Sequence, residues 1–231
     1  MTNSNDLAYI DENLRIIRER CAEAKAKYRS PDDNIRIMAV TKTVAPEAIN
    51  RAVSLGIDLL GENRVQEYLS KAEQYDKSAE VQFIGHLQTN KVKYIINSVS
   101  MIQSVDSLKL GQEISRLAVK NGRVMDILCE VNIGGENSKS GVAPAELDQL
   151  IEELRELDGI RIRGLMTIPP PSGSDIFLGR MKELYDSVSS RYEGMDTLSM
   201  GMTHDYAEAI RYGSTLVRIG TGLFGARDYS K

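Results

Sequence analysis

The sequence predicts an α/β protein: a single (β/α)8 TIM barrel preceded by one extra helix. Three observations carry this. Short apolar runs alternate with longer amphipathic ones, and strands alternating with helices build a parallel sheet. Eight short runs can be counted, at 35–41, 57–60, 81–84, 101–104, 125–131, 160–168, 197–200 and 215–219; eight such units in a chain of 231 residues fit a closed barrel. The last run leads into Gly220-Thr221-Gly222-Leu223-Phe224-Gly225, the kind of turn that offers backbone N–H groups to a phosphate. A doubly wound open sheet is the competing arrangement, and periodicity alone does not exclude it.

Each element has its own signal. Leu7, Ile10, Leu14, Ile17 and Cys21 recur at three- and four-residue spacing and predict an amphipathic helix over 6–28. Pro31, Asp32 and Asp33 make a turn, and 35–41 is the first strand. Pro46 opens a helix, where a missing N–H costs nothing. The run 57–60 ends in Gly61-Glu62-Asn63, a helix follows over 65–75, and 81–84 closes on Gly85-His86. Helices over 91–96 and 107–120 flank the strand 101–104, and 125–131 leads into the polar loop 134–141. A helix from Pro144 carries Leu147, Leu150, Ile151, Leu154 and Leu157 on one face. The strand 160–168 is stopped by Pro169, Pro170 and Pro171, which cannot continue a ladder. Helices over 176–192 and 205–212 precede the last two strands. One domain over 1–231 is expected, with the barrel occupying 35–227.

Composition narrows the function. The formal net charge is −4, and the hydrophobic fraction of 42% supports one sizeable core. A mildly acidic chain lacks the basic face of a nucleic-acid binder. Two cysteines give no disulfide framework, and Cys129 in an apolar run reads as a buried small hydrophobe. The two histidines, His86 and His204, have no metal-ligand spacing, so no metal site is expected. The N-terminal residues show no signal peptide pattern, and no run approaches the ~18 apolar residues of a membrane span. A soluble cytoplasmic protein is expected.

Barrel logic gathers function at the C-terminal ends of the strands and phosphates after the seventh and eighth. Lys42 leaves the first strand at that end. A desolvated lysine there is a nucleophile for a carbonyl, forming a Schiff base; the alternative is a lysine reaching out to water. Barrel closure makes Lys42 a neighbour of Arg218 in the eighth strand. Arg218 shares the phase of Leu216 and Gly220, so an inward guanidinium needs an acceptor: either a carboxylate such as Glu62 or Glu130, or a ligand's ring nitrogen. The stretch 220–225 matches a dinucleotide fingerprint but lacks the following βαβ unit and distal acid. A phosphate cradle and a tightly packed corner remain as its readings. His86 is a candidate ligand contact or a loop bond. No serine elbow or Cys–His couple suggests triad chemistry.

With these residues in hand, the chain resembles the pyridoxal phosphate homeostasis protein family of the YggS/PROSC type. The resemblance runs along nearly the whole sequence: A-V-T-K-T around Lys42, G-E-N-R-V-Q-E from Gly61, F-I-G-H-L-Q-T-N-K from Phe83, S-V-D from Ser104, K-S-G ending at Gly141, R-G-L-M-T-I-P from Arg163, L-S-M-G-M from Leu198, and G-S-T-L-V-R-I-G-T-G-L-F-G-A-R-D-Y from Gly213. It implies a barrel like the N-terminal domain of alanine racemase (fold type III), with pyridoxal 5′-phosphate (PLP) as an aldimine on Lys42. It further implies that Arg218 faces the pyridine nitrogen, that Ser199, Met200, Gly220 and Thr221 hold the phosphate largely through backbone N–H groups, and that Asn63 lies near the ring. Gln82 stands where the family usually has His, and Met202-Thr203-His204 where it has M-S-D.

An arginine opposite the ring nitrogen keeps that nitrogen unprotonated and weakens the ring as an electron sink. Racemases of this arrangement take a second base from a further C-terminal domain, and only eleven residues follow Gly220. The expectation is a non-catalytic PLP carrier that stores the cofactor and delivers it to apo-enzymes. An amino-acid racemase and a Schiff-base aldolase are the alternatives. A monomer is expected, and the loop 134–141 with Lys139 is a candidate gate or a solvated loop.

Overall fold

The structure, a computed structural model, describes residues 7–136 and 139–226. The expected helix start at Asp6, loop residues Asn137 and Ser138, and Arg227 to Tyr229 lie outside the described residues.

Eight parallel strands close into a barrel in sequence order. They are β1 (Arg36–Val40), β2 (Leu59–Glu62), β3 (Glu80–Phe83), β4 (Met101–Val105), β5 (Met125–Glu130), β6 (Ile160–Met166), β7 (Thr197–Ser199) and β8 (Leu216–Ile219). Closure comes from β1 against β8, with Met38 opposite Arg218 and Ala39 opposite Ile219. This settles the choice against an open sheet.

Helices cover the outside: α1 (Ala8–Tyr28), α2 (Pro46–Ser54), α3 (Val65–Lys71), α4 (Val92–Ile95), α5 (Leu108–Lys120), α6 (Leu147–Arg155), α7 (Ser174–Ser189), α8 (Tyr206–Arg211) and α9 (Thr221–Phe224). The first, α1, is the extra helix. It buries Ile10, Leu14, Ile17, Cys21 and Ala24, the stripe its spacing predicts. It lies across α8 and α9, and Asn13 Nδ2 donates to Leu223 O at 3.0 Å.

Strand alternation divides the core into two. Outward-facing residues such as Ala39, Leu60, Phe83, Ile102, Cys129, Leu165, Leu198 and Val217 pack with the helices. Inward-facing residues form smaller clusters: Met38, Val40, Leu59, Ile84 and Leu216 on one side, Met101, Leu128 and Met166 on the other. The period-two rule thus assigns each strand residue to a face. Inner space is tight: a Cβ on Gly61 would sit 2.4 Å from Met38 Sδ. At Gly164 (φ +145°) it would sit 1.8 Å from Thr197 O, so only glycine lets β6 approach β7.

Several boundaries differ from the sequence expectation, each for a local reason. The second strand begins at Leu59 rather than at 57, because Ile57 N–H is still bonded to Ala52 O at the end of α2. The helix over 65–75 stops at Lys71 and tightens into a 3-10 turn at Ala72–Gln74. Pro144 opens a 3-10 turn that becomes helical only at Leu147. The glycine-rich 220–225 contains a one-turn helix, α9, that its composition hides.

At the N-terminal mouth lies a cavity of about 510 Å³ lined by Arg36, Glu80, Asp126, Arg163 and Asp196 among others. None of the predicted site residues lines it. No described helix is long and apolar enough to cross a membrane.

Candidate functional site at the C-terminal mouth

Lys42 stands two residues past the end of β1. Met38 and Val40 belong to the inner cluster and Ala39 to the outer; Thr41 N–H continues the ladder to Gly61 O at 3.0 Å. Lys42 then opens the turn that leaves the strand. Val40 pairs with Gly61 on β2, so Lys42 is level with Asn63. Asn63 Oδ1 is buried without a hydrogen-bond partner, and such an atom is costly unless something fills its vicinity. On the other side β8 adjoins, and a Cβ built on Gly220 would lie 3.5 Å from Val40 Cβ. Lys42, Asn63 and Gly220 thus follow the C-terminal ends of three adjoining strands, β1, β2 and β8.

Arg218 is buried in β8 with its side chain inside the barrel. Its Nη1 donates to Ser199 Oγ at 2.6 Å and its Nη2 to Thr167 O at 2.7 Å. Burial lowers its pKa to about 10, opposed by the charges of Glu130 and Asp205. It remains a cation at neutral pH. Neither carboxylate considered from the sequence is its hydrogen-bond partner. Glu62 points outward, where Thr41 Oγ1 (2.6 Å) and Tyr75 OH donate to its Oε1. Glu130 faces the interior from the end of β5; burial first, then Asp106, pushes its pKa up to about 7 while Arg218 pulls it down.

Ser199 continues the interior chain. Its Oγ donates to Gln103 Oε1 at 2.7 Å, and Gln103 Nε2 donates to Gln82 Oε1 at 2.6 Å. Arg218, Ser199, Gln103 and Gln82 thus form one polar line across the barrel. Sequence reasoning did not find Thr167, Gln103 or Gln82 as partners. The available signal was phase: Gln82 and Gln103 each stand next to an outward apolar residue, Phe83 and Ile102, and so take the inner phase.

The other predicted residues separate into two sets. Thr221 begins α9, and the first N–H groups of a helix lack intrahelical acceptors; Gly220 is the residue before it. Gly222 N–H is held by Thr203 Oγ1 at 3.0 Å, which ties the β7–α8 turn to α9. Met200 behaves differently: its side chain lies in the outer core and its N–H bonds Leu216 O at 3.2 Å. Gly201 (φ +93°) and the Met202 N–H bond to Asp205 Oδ1 (2.7 Å) shape the turn that follows.

His86 is exposed, and its Nδ1 meets Ser140 Oγ at 3.3 Å, so it bonds a hydroxyl of the 134–141 loop. Lys139 pairs with Glu136 within that loop. Cys21 and Cys129 are buried free thiols, each pushed up to about 12 by burial. Among the described residues no cluster of three His, Cys, Asp or Glu has the geometry for a metal.

The model of the family described as alanine racemase, N-terminal domain, matches residues 6–228. A protein of Aquifex aeolicus named "Pyridoxal phosphate homeostasis protein" is 43% identical over 94% of this chain and 98% of its own. One of Escherichia coli strain K12 with the same name is 36% identical over 98% of this chain and 99% of its own. The structure of PipY from Synechococcus elongatus with PLP bound is 30% identical, with a TM-score of 0.78, covering 90% of this chain and 99% of that one. By full-length likeness at this level, the chain belongs to the pyridoxal phosphate homeostasis protein family, within the group that shares the alanine racemase N-terminal fold.

Proposed function

We propose that the chain binds PLP at the C-terminal mouth of the barrel and serves to store, buffer and deliver that cofactor, without substantial catalysis of its own. The observation that carries this reading is the pairing of β1, which ends two residues before Lys42, with β8, which holds the buried Arg218 inside the barrel. Family membership supports it, since the relatives are named for PLP homeostasis and PipY has been solved with PLP.

The residues present fit the group. Asn63 offers a buried amide oxygen without a partner beside the lysine. Thr221 at the start of α9, Gly220 before it, and the end of β7 at Ser199 and Met200 frame the anionic end. When bound, PLP supplies an aldehyde with which a neutral lysine amine condenses, releasing one water. In this reading Lys42 is the amine and Arg218 faces the ring nitrogen. Arg218 stays charged and hydrogen-bonded from behind by Ser199 and Thr167. A fixed cation there disfavours a second positive charge on the ring, which suits retention of the cofactor better than turnover. The protein acts as a monomer in the cytoplasm and passes PLP to apo-enzymes.

The test is direct. Purified protein incubated with PLP is reduced with borohydride, digested and mapped by mass. The modification is expected on the peptide carrying Lys42, and modification elsewhere overturns the attachment. Racemisation of alanine or serine at ordinary enzymatic rates by the purified protein overturns the carrier reading.

A further inference from the structure

The turn that carries Lys42 is held in an unfavourable shape by two side chains of α3. Thr43 has φ +61° and is, among the described residues, the one non-glycine in the left-handed region. A β-branched residue is an outlier there, and such backbone persists only where its surroundings over-determine it. The surroundings are Glu67 and Lys71, one helical turn apart. Glu67 Oε1 accepts the Thr43 N–H at 2.5 Å. Lys71 Nζ donates to Thr41 O at 3.0 Å and to Val44 O at 3.4 Å, and ties back to Glu67 Oε1 at 2.8 Å. These bonds bracket Lys42 on both sides. Below them Thr41 Oγ1 is anchored to buried Glu62, which lies 3.9 Å from the same ammonium. The pair is itself largely sheltered, with 13% of the Lys71 and 21% of the Glu67 side chain exposed.

We propose that Glu67 and Lys71 are positioning residues that clasp the 41–44 turn and thereby aim the Lys42 amine into the barrel mouth. The inference rests on the reading that Lys42 is where PLP attaches. Neither clasp residue touches the cofactor. Their effect is on geometry: attachment joins the Lys42 nitrogen to the aldehyde carbon and expels one water, and a turn free to leave its strained shape presents the amine in the wrong place most of the time. Attachment and release should therefore slow or destabilise together when the clasp is cut, while the phosphate end of the site, built on β7, β8 and α9, is untouched.

The experiment mixes full-length apo-protein with PLP and follows two signals: growth of the visible band of the attached cofactor, and total PLP retained after gel filtration. Lys71→Met and Glu67→Ala are expected to slow band growth about tenfold, with retained PLP reduced far less. Glu67→Gln, which keeps an oxygen acceptor for Thr43 N–H, should fall between. The decisive arm is Glu67→Ala with Thr43→Gly: glycine adopts the left-handed shape without penalty, so band growth should recover at least threefold over Glu67→Ala alone, with no recovery of melting temperature required. A merely structural Glu67 predicts no such rescue. Band growth within twofold of the parent in both single variants overturns the proposal, as does absence of rescue; if Lys71→Met does not fold, the Glu67 series decides. Lys42→Ala run in parallel separates the two readings: a band that survives there faults the attachment point rather than the clasp.

Discussion

The two mouths of the barrel are built on opposite plans. At the N-terminal mouth every prominent charge is answered. Arg161 Nε reaches Asp126 at 2.6 Å, Arg163 bridges Asp126 (2.8 Å) and Asp196, and Arg36 lies between Asp58 (3.3 Å) and Glu80 (3.4 Å). At the C-terminal ends of the strands some polar atoms are left over: Asn63 Oδ1 and Glu130 Oε2 are buried without hydrogen-bond partners. An unpaired buried polar atom costs about 1–3 kcal/mol. A protein that satisfies one end and not the other is keeping stability and ligand capacity apart, as barrels generally do.

This contrast can be broken by substitution. The largest effect is expected from Lys42→Ala, which should abolish the visible band on PLP addition while some phosphate-anchored binding persists; spectroscopy with filtration measures both. Arg218→Leu comes next. It removes a buried cation, takes one donor from Ser199 Oγ and leaves Thr167 O without its guanidinium donor, so it should weaken PLP retention and cost about 1–3 kcal/mol in denaturant unfolding.

Glu130 sharpens the comparison through pH. Its carboxyl rises from 4.5 to about 7 in the folded chain, so between those values the native state holds more protons than the unfolded one. Stability contributed by this group is then full below pH 4.5 and lost as pH rises towards 7. Glu130→Gln should flatten that decline and melt a few degrees higher than the parent at pH 8, read by thermal scans across pH. The smallest effect belongs to the other mouth. Asp126→Asn loosens two partly exposed ion pairs, which should cost about 1 kcal/mol or less and leave PLP binding unchanged in the same titration.

The elements were legible in the sequence because each rests on a local signal: the α1 stripe, the apolar strands, the proline stop after Met166. Barrel closure then put β1 beside β8 without any local signal linking them, and the register pairs Arg218 with Met38, four residues before Lys42. What escaped was set by three-dimensional pairing. The acceptors of Arg218 are a serine 19 positions away and a carbonyl 51 away, and nothing in either stretch advertises the match. Glu62 was one candidate acceptor for Arg218, yet the phase of Leu59 and Gly61 assigns it outward. The grip of α3 on the Lys42 turn was equally invisible, since a left-handed threonine has no sequence mark. Met200 shows the limit of motif transfer: it sits where the pattern puts it, yet its N–H is spent on Leu216 O.

Closure of the sheet has one more consequence. With β1 hydrogen-bonded to β8, no strand among the eight is left with an open row of N–H and C=O groups, so the barrel sheet offers no edge onto which a second chain can add a strand.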